Sequence, residues 1–319
     1  MKTIILRPAE PDQDFGQLAA WFAILEDDAL SEQGLKEYYK KRQELIIQKV
    51  AEDEQGALLG FYWIYRSNAE SYNIDLFVKP EQRRQGVGRQ LYEDLEQSVK
   101  DVQAKKLHVS IPDASTESWI FAEQRGFSER WHFIPMRLNL EAFDDRTYDD
   151  IIAKLEGDGF QFTSMEELGN TEAAQRKLYI LNDTTNLDVP GRDGEHVWNS
   201  FDDFQKRVCQ MDWYKPGGQM VVIDTTTGDW AAMSAISRFE NHAYNLHTGV
   251  DRRYRGRKLA QAVKVLALRY ARDVLKVNMV HTDHNTMNQP ILAIDRKFGY
   301  VEMPGTFEMK KVFEYRNGD

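Results

Sequence analysis

The chain has 319 residues, 42% of them hydrophobic and 12% aromatic, a length that suits two domains or one large α/β fold and a composition that argues against wholesale disorder. A net charge of −10 argues against nucleic acid as a partner, because phosphates demand a basic stripe, and is compatible with a cationic substrate. No uncharged run is long enough to span a bilayer, and the single cysteine, Cys209, carries no Cys-His signature, so the expectation is a soluble, unprocessed cytoplasmic protein, monomer or homodimer, with Cys209 half-buried and structural.

In chain order, Thr3–Leu6 reads as a strand, and residues from about Asp14 to Gln48 carry helical spacing. Ala57–Tyr65 and Tyr72–Val78 read as strands joined by a turn around Asn68. A glycine-containing loop follows, then a helix whose apolar residues Val87, Leu91, Leu95 and Val99 recur every four positions. Strand Lys106–Ile111, a short helix over Thr116–Gln124 and strand Trp131–Leu138 close the first half. The Asp-rich stretch Glu141–Gly159 ends on Gly157-Asp-Gly159 and reads as the linker, with Ile151, Ile152 and Leu155 suggesting a packed helix within it. These bounds give domains over 1–140 and 160–319.

The second half reads as strand Gln161–Thr163, helices to about Met211, and strands Gln219–Asp224, Trp230–Ser237 and Ala243–Val250. A helix then carries Leu259, Val263, Leu266, Tyr270 and Val274 on one side, before strand Val277–Thr282, helix Asn288–Lys297 and strand Glu308–Phe313. One plan is used twice: Val78 answers to Val250, Arg83 to Arg255 and Gly88 to Ala260 at a constant offset of 172, and Gly126-Phe127 answers to Gly299-Tyr300 at 173.

A strand, tight loop and helix in succession leave several N–H groups at the helix start to converge on a phosphate. Gly86 and Gly88 remove side chains where a pyrophosphate must approach, and Arg83, Arg84 and Arg89 add charge. A dinucleotide fingerprint and a P-loop both need residues that are missing here. Val78-Lys-Pro80 followed by Arg83-Arg-Gln85-Gly86-Val87-Gly88 resembles the acetyl-CoA motif of the GNAT (GCN5-related N-acetyltransferase) family, and the likeness extends over nearly the whole chain. The resemblance implies two α/β (α+β) domains in tandem, each a mixed, mostly antiparallel sheet flanked by helices. It implies acetyl-CoA as cofactor, with the pyrophosphate on Arg83 to Arg89 and on Arg255, Gly256, Arg257, Lys258, Leu259 and Ala260. The backbone of Phe77, Val78, Gly249 and Val250 would then pair with the pantetheine arm in a splay between strands.

The halves depart from the family differently. Lys258 stands where the family has its first glycine, and its amide can donate only if its backbone permits. The family's second signature, Asn then Tyr seven residues on and Gly four after that, reads Asn288, Asp295, Gly299 in the second half and Ser115, Ala122, Gly126 in the first. Together with Asn285 this favours the second half for the chemistry.

The family's reaction is direct attack of a neutral amine on the thioester, so the acceptor would be an amine of a small molecule or peptide, possibly cationic. Asp75 and its counterpart His247 lie three residues before Val78 and Val250 and are candidate bases, and the Val250 N–H is a candidate donor to the thioester oxygen. Asp295 replaces the tyrosine that would protonate the departing thiolate and needs a raised pKa to do so. His281-x-x-His284 lacks a third ligand, so no metal is expected. Asp188, Asp193 and Glu195, within Asp183–Glu195, would lie near the acceptor side in this topology. A rival reading, drawn from the tyrosines missing in both halves, is a non-catalytic acyl-CoA-binding or sensing protein.

Overall fold

A computed structural model describes residues 3–25, 31–41, 45–68, 70–191 and 196–315. The elements are β1 (Ile5–Pro8), α1 (Pro11–Leu25), α2 (Glu32–Lys41), β2 (Leu45–Glu52), β3 (Leu58–Arg66), β4 (Ser71–Val78), α3 (Val87–Asp101), β5 (Lys106–Pro112), α4 (Thr116–Glu123) and β6 (Ser128–Asn139). They continue with α5 (Asp149–Gly157), β7 (Phe160–Ser164), α6 (Glu172–Asn186), α7 (Phe201–Phe204), β8 (Gln219–Asp224), β9 (Trp230–Phe239) and β10 (His242–Val250). The last are α8 (Leu259–Asp273), β11 (Met279–Asn285), α9 (Gln289–Phe298), β12 (Val301–Glu302) and β13 (Thr306–Val312).

The chain folds as two compact units, Met1–Arg130 with Phe307–Asp319, and Trp131–Thr306. The first unit's strands run in the order β1-β2-β3-β4-β5-β13. The pairings from β1 to β4 are antiparallel, and β4–β5 is parallel. A parallel step needs a long crossover, and α3 supplies it. The apolar line Val87, Leu91, Leu95 and Val99 is buried against Leu59, Tyr62, Ile64 and Leu107. On the other side of this sheet Phe15, Trp21 and Phe22 of α1 pack on Phe61, Trp63 and Phe77.

The second unit repeats the plan in the order β7-β8-β9-β10-β11-β6, with β12 also on β6. Only β10–β11 is parallel, bridged by α8. The core under α8 joins Leu259, Val263 and Leu268 to Val222, Ile236 and Val280. Leu178 and Leu181 of α6, with Phe201 and Phe204, cover the opposite side.

These bounds differ from those the sequence suggests. Strand β6 was expected to close the first domain, yet from Trp131 it belongs to the second unit, where Phe133–Asn139 pairs antiparallel with β11. In turn β13, expected to end the second domain, lies in the first unit, with Met309 fully buried beside Leu91 and Leu107. The two halves thus exchange their closing strands. The stretch read as a linker is part of the second unit's core, where Tyr148, Ile152 and Leu155 are buried. The helical spacing read from Asp14 to Gln48 also ends earlier, because Leu45–Glu52 is a strand that pairs with β1 and β3.

Candidate active site

In both units the parallel pair separates after a few residues. β4 and β5 pair only over Ser71–Asn73 with Lys106–His108, although β4 runs on to Val78. β10 and β11 pair only at Ala243 and Tyr244 with Val280 and His281, although β10 runs on to Val250. Phe77, Val78, Gly249 and Val250 therefore lie on strand ends that diverge from their parallel neighbours, where the sequence placed them.

The loops after these strands share one backbone. In the first, Arg84 and Gly86 take left-handed φ angles of 61° and 92°. In the second, Gly256 and Lys258 take 78° and 66° at the corresponding positions. The two loops thus place their glycine at opposite ends of the same conformation, with Lys258 in the left-handed region that Gly86 occupies in the first loop. A non-glycine residue in this region costs about 1–2 kcal/mol, so each loop carries one strained residue.

The match continues atom by atom. Arg83 Nε donates to the Val78 carbonyl at 3.2 Å, and Arg255 Nε donates to the Val250 carbonyl at 3.2 Å. The first amide to bond back into each loop is Gln90 to Gly86 O and Ala262 to Lys258 O, both at 3.1 Å. Earlier amides of α3 and α8, those of Val87, Gly88 and Arg89 in the first, have no helical carbonyl to reach. A Cβ on Gly86 would meet nothing within 4 Å, so its approach is open, whereas one on Gly88 would press on the Phe121 ring at 3.3 Å. Gln85 is anchored through Nε2 to Glu81 O at 2.9 Å.

The charges around the loops differ. Arg83 and Arg89 have carboxylates only at 3.9 Å, from Glu117 and Glu93. In the second unit Asp188 pairs with both Arg252 and Arg255, and those guanidinium hydrogen bonds hold its carboxyl below the usual range against burial. Asp188 was expected on the acceptor side; it closes instead on the phosphate-type loop. Asp193 and Glu195 lie outside the described residues. Arg257 is over the rings of Phe160 and Tyr254, at 5.8 and 5.7 Å.

The remaining candidates separate the units further. Asp75 is half-buried opposite Trp63, in a strand pair without a bulge. His247 follows a β-bulge in β10 between Asn245 and His247, and its Nε2 lies 2.8 Å from Thr185 Oγ1 on α6. Gly249 makes that contact possible, since a Cβ there would be 2.4 Å from Thr185 Oγ1 and 2.7 Å from His247 Nε2. Asn285 is buried, its Oδ1 accepting from Met287 N at 2.9 Å and its Nδ2 3.5 Å from Pro190 O. Asn288 precedes α9 without capping it through its side chain. Ser115 holds the same place before α4, its hydroxyl donating to Ser118 Oγ at 2.6 Å.

Asp295 does not meet the requirement for an acid. It is fully buried and ion-paired to Lys264, itself fully buried, and to His284 Nε2 at 2.7 Å. Burial alone would raise its carboxyl, but the charge of Lys264 and the His284 hydrogen bond hold it below the usual range. Sequence reading missed Lys264. The available signal was a lysine four residues before Leu268 and seven before Ala271, on the buried line of α8.

The two histidines of His281-x-x-His284 part company. His281 stacks on His242 with ring centroids 4.0 Å apart, and burial with the charges of His242 and Arg137 pushes it down to about 4. Among the described residues no group of three His, Cys, Asp or Glu side chains is placed to hold a metal ion. Burial pushes the Cys209 thiol up to about 11, which suits a structural residue. No helix among the described residues is long and apolar enough to cross a membrane.

Residues 15–127 match the model of the acetyltransferase (GNAT) family. That match lies within the first unit. The fold of the whole chain is similar to known structures: a GCN5-related N-acetyltransferase from Sphaerobacter thermophilus aligns over 97% of this chain and 95% of its own, with TM-score 0.68 and 16% identity. A tandem GNAT protein from the clavulanic acid biosynthesis pathway aligns over 99% and 100%, with TM-score 0.64 and 15% identity. The structure of a fungal multi-domain GH3 β-N-acetylglucosaminidase containing a GCN5-related glucosamine N-acetyltransferase region aligns over 97% of this chain and 38% of that one, with TM-score 0.71 and 15% identity. No curated protein matches the chain in sequence.

Proposed function

We propose that this chain is a tandem GNAT enzyme that transfers the acetyl group of acetyl-CoA to a primary amine of a small molecule or peptide, by direct attack in a ternary complex, with the second unit carrying the chemistry. The observation that carries the reading is the shared loop. Two left-handed residues turn the chain from a diverging strand into α3 and again into α8, whose first amides have no helical carbonyl to bond and would be free to take an anion. A pyrophosphate suits that cradle, and the open approach at Gly86 leaves room for it. The edges of Phe77–Val78 and Gly249–Val250 suit the pantetheine amides.

In the second unit the bulge at Leu246 turns β10 locally and sets His247 against Thr185, which fixes the ring. His247 would take the proton of the incoming ammonium, and the Val250 N–H would stabilise the oxyanion as the tetrahedral intermediate forms. The first unit has no such bulge, and its Asp75 faces the bulky Trp63 where His247 faces Ala235. Both loops would bind acetyl-CoA, the first without transfer.

CoA release from acetyl-CoA, followed with a thiol reagent across a panel of primary amines, tests this. Turnover on at least one amine supports the reading. Binding of acetyl-CoA with no turnover on any amine supports the sensing protein instead.

A further inference from the structure

The buried Lys264, Asp295 and His284 of the second unit have no ionised counterpart at the repeat positions of the first. At the repeat positions of Lys264, His284, Asp295 and Tyr300 the first unit has Tyr92, Ile111, Ala122 and Phe127, all buried, with only the Tyr92 hydroxyl reaching charged groups, Lys311 and Glu96. Burying three ionisable groups where an apolar solution exists in the same chain calls for a functional reason. Asp295 uses its oxygens separately: Oδ1 takes the ammonium of Lys264, and Oδ2 faces His284 Nε2 at 2.7 Å. Lys264 is closed off, fully buried and 4.9 Å above the Tyr300 ring. His284 is the member that reaches out, with its side chain 13% exposed.

His284 is also the member on the diverging strand. β11 leaves the ladder with β10 after His281, and the Thr282 hydroxyl donates to Asn245 O at 3.1 Å beyond it. His284 follows two residues on, inside the splay, and is directed towards α8 and α9 by Asp295. A short carboxylate at position 295 leaves the space a longer side chain would take from α9 towards β11, and the imidazole fills it from the opposite side. With Nε2 engaged by Asp295, Nδ1 is the ring nitrogen left for a second partner.

We propose that His284, positioned by Asp295 and Lys264, is the proton donor to the departing thiolate of CoA; this rests on the acetyl-transfer reading above. As the amine nitrogen forms its bond to the acetyl carbon and the C–S bond breaks, the electron pair leaves on sulfur and takes a proton from His284. The proton lost by the amine leaves through His247 and water, and solvent restores the His284 proton. The products are the acetylated amine and CoA thiol, with no oxidant or further reactant.

The test has a binding arm and a turnover arm. In the binding arm, nitrogen-15 spectra of the histidine rings are recorded on the full chain with CoA and with desulfo-CoA. A His284 shift that appears with CoA and is lost with desulfo-CoA supports a contact to sulfur, whether or not any amine turns over, so failure of the acetyl-transfer reading stays distinguishable. Equal responses to the two ligands would overturn the proposal. In the turnover arm, His284→Gln should lower kcat at least tenfold with KM for acetyl-CoA unchanged, and imidazole in the buffer should restore part of the rate. Loss of acetyl-CoA affinity with kcat unchanged, or an unaffected kcat, would overturn it. Asp295→Asn, which keeps shape and an acceptor oxygen, separates positioning from folding: it should lower kcat less than His284→Gln, and a larger loss in a folded protein would place the proton elsewhere.

Discussion

The Lys264–Asp295 pair gives the sharpest stability prediction. Both side chains are fully buried, so removing the carboxylate leaves an ammonium with no counter-charge and no water. Breaking a buried pair from one side costs about 3–5 kcal/mol, and Asp295→Ala should cost that much in the second unit. The first unit supplies a comparison: with Tyr92 and Ala122 at these positions, it has no ion pair between α3 and α4 there, and the Tyr92 hydroxyl bonds Lys311 and Glu96 instead. Lys264→Leu combined with Asp295→Ala should therefore recover most of the loss. Urea unfolding with hydrogen exchange read separately on β8–β11 and on β2–β5 resolves the two units. The stability difference between wild type and Asp295→Ala should also depend on pH in one direction. The folded carboxyl lies below the usual range, so its contribution is complete above the unfolded value of about 3.9 and is lost as pH falls through the folded value. A cost under about 1 kcal/mol, or a double variant as unstable as the single one, would refute the reasoning.

Gly86→Glu and Lys258→Glu each place a carboxylate in a loop proposed to hold pyrophosphate, so each should weaken acetyl-CoA binding at its own site; calorimetry showing unchanged affinity in both would sink the two-site account. Gly249→Val should reduce kcat by displacing Thr185 from His247, given the 2.4 Å and 2.7 Å approaches a Cβ would make, with helical content unchanged by circular dichroism. Asn288→Ala should lower activity more than Ser115→Ala, and the reverse order would move the active centre to the first unit. Met309→Ala should cost about 2–5 kcal/mol, and hydrogen exchange should show the loss in β3–β5 and not in β8–β10, because the side chain is fully buried in the first unit.

The loops were legible because the repeat gave two independent copies of the same sequence of strand, loop and helix. Their backbone was only half legible: a glycine at 256 and another at 86 do not announce that both loops use the same two left-handed positions, one of them filled by arginine and the other by lysine. The strand exchange was hidden for a different reason. Local alternation identifies Trp131–Leu138 and Glu308–Phe313 as strands, but which sheet a strand joins is decided by contacts more than a hundred residues away, such as Met309 with Leu91 and Leu107. Strand β2 was missed because Leu45-Ile46-Ile47 follows helical sequence with no glycine or proline to mark the change. Asp188 was assigned to another surface and Lys264 was missed because a charged residue shows its partner only in three dimensions: Asp188 meets arginines 64 and 67 residues on, and Lys264 meets Asp295 31 residues on.

The central claim is that acetyl transfer takes place in the second unit. Mass spectrometry of the amine after incubation with acetyl-CoA, run in parallel on wild type, Gly86→Glu and Lys258→Glu at equal folded concentration, addresses it directly. The account predicts an acetylated amine from wild type and Gly86→Glu and none from Lys258→Glu. Acetylated product from Lys258→Glu at the wild-type rate, with Gly86→Glu silent, would contradict it.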